Sequence, residues 1–208
     1  MNKTVIWDLD GTLFDSYDVI VESIRLTLQE LGVDMPRKEI HRYAIEFSIK
    51  SLFAKISSET GIPSENMQQR YSQISGSRYL QIKPMTNAVR LLEKLQEIGV
   101  RNLVFTHRGK TTFPVLDHLN MTRFFEEVIT SQSGFARKPD PEGLLYLLDK
   151  YQLDFASTYY VGDRSIDMDC AKNAGIPGIL YLAPGCVYVS GGSEAYVVHD
   201  LLDVLNIV

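Results

Sequence analysis

Thr4 to Trp7 form a short apolar run of β-forming residues that stops abruptly at Asp8-Leu9-Asp10-Gly11-Thr12. The pattern predicts a buried strand entering a tight turn. From Asp15 to Leu31 the apolar residues Ile20, Ile24, Leu28 and Leu31 recur at helical spacing, and Gly32 follows as a C-terminal cap. Polar-rich helical stretches continue to about Tyr79, with breaks expected at Met35-Pro36, Gly61-Ile62-Pro63 and Ser75-Gly76-Ser77. Such a segment reads as a small helical bundle with short loops.

After Pro84 the pattern changes. Thr86 is placed to cap a helix whose Ala88, Leu91, Leu92, Leu95 and Ile98 make one apolar stripe, ended by Gly99. Strand-like runs follow at Asn102–Phe105, Val128–Thr130, Thr158–Val161, Ile179–Leu182 and Tyr196–Val198, with helical segments beginning near Thr112, Pro141, Ser165 and Leu201. This alternation predicts the α/β class, a mostly parallel sheet with helices on both faces. The expected domains are residues 1–15 with 83–208 as the sheet core and residues 16–82 as a helical insert after the first strand.

Composition narrows the function classes. The chain has 208 residues, 45% hydrophobic and 23% charged, with a formal charge of −5. These values fit a globule with a sizeable core and exclude general attraction to nucleic acid or anionic membrane. Any anionic substrate needs a local basic pocket. Cys170 and Cys186 stand 16 positions apart without metal-like companions, so they are expected to be buried thiols of a cytoplasmic protein. No apolar stretch approaches the ~18 residues of a membrane span.

Four polar clusters each follow a predicted strand: Asp8 with Asp10, Thr106 to Arg108, Lys138, and Asp163 with Asp167. In a doubly wound sheet the carboxyl ends of strands converge, so these clusters can share one site. Each alone has a structural reading. Asp-x-Asp-Gly makes a turn, Thr106 caps a helix, Lys138 is a solvated lysine, and Asp163 and Asp167 favour a helix N-terminus.

Together they resemble the haloacid dehalogenase superfamily, specifically its phosphatase branch with a helical cap inserted after the first motif. Asp8-Leu9-Asp10-Gly11-Thr12-Leu13 matches the first motif, and Thr106 after Leu103-Val104-Phe105 the second. Lys138-Pro139-Asp140-Pro141-Glu142 fits the third, and Gly162-Asp163-Arg164-Ser165-Ile166-Asp167 the fourth. The resemblance implies a Rossmann-like parallel sheet core with an inserted small helical-bundle cap. It also implies a Mg²⁺-dependent phosphatase working through an aspartyl phosphate.

On that resemblance Asp8 is the nucleophile and Asp10 the general acid and base, with Thr106 and Lys138 completing the catalytic set. Lys138 and Thr106, with backbone N–H groups near Leu9 and His107, bind the phosphoryl group. Mg²⁺ is held by Asp8, the Asp10 backbone carbonyl and Asp163. Asp167 either contacts the metal through water or orients Lys138. Asp10 favours phosphate chemistry over dehalogenation, because a halide leaves without a proton.

The expected partner is a small phosphorylated metabolite, with no nucleic acid and no membrane, and the chain a monomer or homodimer. Alternatives are a sugar phosphomutase of the β-phosphoglucomutase type and a non-catalytic partner-binding protein of the same fold. His107-Arg108 stands where many relatives carry Asn, so substrate contact and simple projection from the loop are both open for these side chains. Within the insert, Arg42 to Phe53 departs from the glycine-containing specificity segment of phosphoglycolate-type phosphatases, which argues against that substrate. Arg42, Lys50 and Lys55 read as a solvated helical face. Gly191-Gly192-Ser193 reads as a structural turn, and Tyr188 carries no functional signal.

Overall fold

A computed structural model describes residues 3–184 and 191–208; Cys186 and Tyr188 lie outside the described residues. The chain divides into two compact units, residues up to Asp15 with Pro84–Val208, and Ser16–Lys83. In chain order, β1 (Thr4–Trp7) and the two-residue β2 (Phe14–Asp15) come first. Helices α1 (Tyr17–Glu30), α2 (Arg37–Glu46), α3 (Ile49–Thr60) and α4 (Ser64–Arg78) follow, then β3 (Lys83–Pro84). The remainder alternates α5 (Ala88–Glu97), β4 (Arg101–Phe105), α6 (Thr112–His118), β5 (Val128–Ile129) and α7 (Glu142–Lys150). It ends with β6 (Thr158–Gly162), α8 (Ser165–Ala174), β7 (Gly178–Tyr181) and β8 (Tyr196–Val198).

The larger unit holds a six-stranded sheet of order β5-β4-β1-β6-β7-β8. Every neighbouring pair is parallel, as crossover helices require. Ile6 of β1 stands in register with Leu103 of β4 and Tyr160 of β6. From β1 the chain goes outward on one side through β4 to β5, then returns to lay β6 on the other side. The reversal falls beside β1, where ligand crevices of such sheets open. All four β1 residues are buried, and Ile6, Leu103, Phe105, Tyr160, Leu144 and Leu147 belong to one apolar core. That burial on both faces explains the unbroken hydrophobic runs of the central strands.

The smaller unit packs its four helices around Val21, Ile24, Leu28, Ile40, Leu52, Phe53, Ile56 and Met67. Ser48 and Ser51 form a reciprocal capping box at the start of α3, and Gly61 ends it with φ +77°.

Local expectations differ from the structure at four points. Ser75-Gly76-Ser77 does not break the bundle, because α4 runs through it to Arg78; a single glycine lowers helix stability without ending the helix. Thr86 is not the cap of α5. Asn87 takes that place at φ +66°, held by its amide donating to both Asp200 carboxylate oxygens at 2.9 Å. Ile98 leaves the apolar stripe and is 62% exposed, because Gly99 turns the chain and Val100 is buried instead. The segment from Leu201 winds as a 3₁₀ helix to Asn206 rather than an α-helix. Gly192 has φ +79°, consistent with a turn there, and Cys170 is buried.

Candidate active site

The turn after β1 is built around one carbonyl. The N–H groups of Thr12, Leu13 and Phe14 all donate to the Leu9 carbonyl at 2.7–3.1 Å, which folds the chain back within five residues. Gly11 makes this possible at φ +83°, a conformation costly for residues with a Cβ. Asp8 remains tied to the sheet by donating its N–H to the Val161 carbonyl at 2.8 Å. Its carboxylate is therefore held at the carboxyl end of the central strand, while Asp10 stands in the turn.

Lys138 reaches this point from the loop before α7. Its ammonium donates to Asp8 Oδ1 at 2.8 Å and to Asp167 Oδ1 at 2.7 Å. The side chain has no exposed surface, and its Nζ lies 5.4 Å and 5.2 Å from the ring centroids of Phe105 and Tyr160. Two carboxylates accept from the ammonium and two aromatic rings lie near it. Asp167 is held in turn. Its Oδ2 accepts the Arg164 N–H at 3.2 Å, and Tyr160 Oη donates to the Phe105 carbonyl at 2.8 Å while lying 3.4 Å from Asp167 Oδ1.

Asp163 follows β6, and its Oδ1 accepts from Thr12 Oγ1 at 3.4 Å. Ligand atoms of Asp8, Asp163 and Asp167 all lie within 4.8 Å of one another, and all three residues are buried. Together they gather three carboxylates at one point, where a divalent cation can be held. Hard oxygen donors in this number suit such an ion. Asp167 accepts from the Lys138 ammonium through Oδ1 and from the Arg164 N–H through Oδ2.

The ionisation pattern follows from burial and from these pairings. Burial pushes the Asp8 carboxyl up to about 6, against the pull of Lys138. Burial acts on Asp167 in the same direction, but Lys138 and Arg164 outweigh it and hold the group below its ordinary value. Burial works against the Lys138 ammonium, and the Asp167 and Asp8 carboxylates overcome it, raising its pKa. One ammonium cannot fully satisfy two buried carboxylates, so the better-anchored Asp167 keeps its charge more readily.

Thr106 follows β4. It is buried, and its hydroxyl accepts the Arg108 N–H at 3.2 Å; the next helix does not begin until Thr112, so Thr106 is not a helix cap. His107 Nε2 accepts the Lys138 N–H at 2.8 Å, which joins this loop to the Lys138 loop. Burial, then the charges of Lys138 and Arg137, push the imidazole down to about 3, so it is neutral with its lone pair on Nε2. The N–H groups of Leu9 and His107 have no hydrogen-bond partner among the described residues; the Leu9 side chain itself is buried in the core.

The structure thus brings Asp8, Lys138, Asp163 and Asp167 together and places Thr106 and His107 in the adjoining loop. Asp10 pairs elsewhere: Arg108 Nη1 donates to its Oδ1 at 2.5 Å. Sequence reasoning assigned no role to Tyr160 and no partner to Arg108. Tyr160 sits in a run that reads only as β-forming residues, whereas Arg108 lies beside a recognised motif position.

A family model for haloacid dehalogenase-like hydrolases matches residues 5–181. The phosphoglycolate phosphatase of Vibrio parahaemolyticus is 24% identical, over 99% of this chain and 96% of its own. That of Pseudomonas savastanoi is 27% identical, over 84% of this chain and 67% of its own. In fold, the chain is similar to a solved hydrolase of subfamily IA of the same superfamily from Geobacter sulfurreducens. That comparison has a TM-score of 0.75 and 22% identity, covering 99% of this chain and 96% of that one. With all four motif clusters at the carboxyl ends of one parallel sheet, and a family match spanning most of its length, the chain belongs to the haloacid dehalogenase-like hydrolases.

Proposed function

We propose that the protein is a Mg²⁺-dependent phosphatase that hydrolyses a small phosphomonoester through an aspartyl phosphate on Asp8. The observation that carries this reading is the fully buried Lys138 ammonium between Asp8 and Asp167, beside a buried cluster of three carboxylates whose oxygens suit a divalent ion. Asp8, Asp163 and the Asp10 backbone carbonyl would hold Mg²⁺, which offsets repulsion between the nucleophile and a phosphate dianion.

The chain's own residues account for the remaining chemistry. Lys138 fixes one oxygen of Asp8, leaving the other to attack phosphorus. As the Asp8 O–P bond forms and the ester P–O bond breaks, Asp10 gives its proton to the departing oxygen. Asp10 then takes a proton from the attacking water, and cleavage of the Asp8 O–P bond releases inorganic phosphate. The Thr106 hydroxyl and the N–H groups of Leu9 and His107 donate to the phosphoryl oxygens as charge redistributes. The helical unit Ser16–Lys83 serves as the cap that excludes water during these steps.

The relatives' name makes phosphoglycolate the first substrate to try, while the departure at Arg42 to Phe53 favours a different small phosphomonoester. The test is phosphate release from a broad panel of phosphomonoesters with Mg²⁺ and with chelator, including Asp8→Asn and Asp10→Asn. Asp8→Asn is expected to abolish turnover and the phosphoenzyme, and Asp10→Asn to lose ~10²–10⁴-fold. Full turnover without metal, or a phosphoryl group on another residue, overturns the mechanism. Isomerised sugar phosphate in place of free phosphate identifies a mutase.

A further inference from the structure

The loop after β4 carries a cation that the roles above leave unused. Arg108 is joined to Asp10 across 98 positions of sequence, Nη1 to Oδ1 at 2.5 Å, with side-chain exposures of 10% and 24%. Its backbone is held on both sides: its N–H donates to Thr106 Oγ1 at 3.2 Å, and its carbonyl accepts the Ser131 N–H at 3.0 Å. The guanidinium also lies 5.9 Å from the Phe14 ring centroid. The side chain therefore approaches Asp10 from a pinned base.

The pair has a one-point form, as Arg37 has with Asp18 Oδ1 at 2.6 Å, whereas other pairs of the molecule are two-point. Arg25 grips Glu22 with Nε and Nη2 on separate carboxylate oxygens, at 2.9 Å and 2.7 Å. Arg101 closes the same fork on Glu126 at 3.0 Å and 2.7 Å. The guanidinium fork frequently closes such a two-point grip on a carboxylate. Arg108 instead touches one oxygen of Asp10 with one nitrogen, and its buried Nε has no hydrogen-bond partner. Asp10 Oδ2 makes no hydrogen bond among the described residues.

We propose that Arg108 is a positioning residue for Asp10: it holds the carboxylate by Oδ1 and leaves Oδ2 facing the proton-transfer position. The proposal rests on the assignment of Asp10 as proton carrier. General acid–base groups lose efficiency steeply when displaced by about an ångström, and Asp10 stands in a turn, outside the sheet that anchors Asp8. A single end-on contact fixes its rotamer without occupying both oxygens.

The test is a double-mutant cycle of Arg108→Gln and Asp10→Asn, read as kcat and KM for Mg²⁺-dependent release of phosphate from 4-nitrophenyl phosphate. Melting temperatures serve as the folding control, and Arg108→Lys as the conservative variant. Arg108→Gln is expected to lower kcat ~10- to 100-fold with KM little changed. In the Asp10→Asn background the same substitution is expected to cost almost nothing, because the group it positions is gone. Arg108→Lys keeps the charge and recovers part of kcat. If Arg108→Gln does not fold, the same cycle is run with Arg108→Lys, where a smaller loss confined to the Asp10 background is expected. Unchanged kcat, a rise in KM alone, or an equal fold-loss with and without Asp10 overturns the proposal. Wild-type protein that releases no phosphate from any phosphomonoester overturns the phosphatase reading and the proposal with it, whereas an active wild type with additive losses overturns the proposal alone.

Discussion

Lys138 and Asp167 form an ion pair from which water is fully excluded: Nζ lies 2.7 Å from Oδ1, and neither side chain has exposed surface. The same ammonium lies 2.8 Å from Asp8, so it is the partner of two buried carboxylates. Removing it strands both. Lys138→Met is expected to destabilise the fold by ~3–5 kcal/mol, the usual consequence of breaking a buried pair from one side. Adding Asp167→Asn should recover part of that loss. Urea denaturation checks both expectations, and a double variant no more stable than the single one would show that charge imbalance is not the cause.

Gly162 tests how tightly Asp167 is seated. A Cβ built at Gly162 would stand 2.4 Å from Asp167 Cβ and 2.5 Å from its Cγ, and neither a strand end nor a helix start gives way easily. Gly162→Ala is expected to cost ~1–3 kcal/mol by overpacking and to shift Asp167 off Lys138. The measurement is thermal unfolding combined with phosphatase turnover; a variant as stable and active as the parent would mean that the site relaxes without harm.

The parts of this site legible in the sequence are those set by local pattern. Short apolar runs ending in polar residues placed β1, β4 and β6, and chain alternation placed their carboxyl ends side by side. Asp8, Asp163 and Lys138 followed from that convergence and from the motifs. The pair Arg108–Asp10 did not, because it joins two loops 98 positions apart, and no periodicity reports on such a meeting. Tyr160 was equally silent: its phenol touches the Phe105 carbonyl, but in sequence it is one more β-former in a buried strand. Ile98 shows the opposite failure, where an apolar spacing continued past the residue at which the backbone turned away.

The acidic cluster predicts a metal effect that needs no substrate. A cation that binds only the folded state stabilises it by RT ln(1 + [Mg²⁺]/Kd), about 2.7 kcal/mol at one hundred times Kd. For a domain of this size that raises the melting temperature by about 5–10 °C. Asp163→Asn is expected to remove most of the rise, since it takes one charge from a group of three buried carboxylates. Melting curves with Mg²⁺ and with chelator decide it, and an undiminished rise in the variant would exclude Asp163 from the ligand set.

His107 predicts a pH dependence of stability whose sign can be worked out. Burial and the neighbouring charges of Lys138 and Arg137 push its pKa down to about 3 in the folded protein, against an ordinary value near 6.5. Between these values the unfolded chain binds a proton that the folded chain refuses, so stability falls as pH drops through the window and is constant above it. The physical cause is that Nε2 already accepts the Lys138 N–H at 2.8 Å, and protonation would turn that acceptor into a donor facing a donor. His107→Gln supplies a neutral acceptor at a similar reach and has no charge to gain. Between pH 7.5 and pH 5 the parent is expected to lose about 2 kcal/mol more than the variant. Carboxylates such as Asp8 titrate in both proteins and cancel in the difference, so urea unfolding at the two pH values isolates the histidine; parallel losses would show that His107 takes up its proton in the folded state after all.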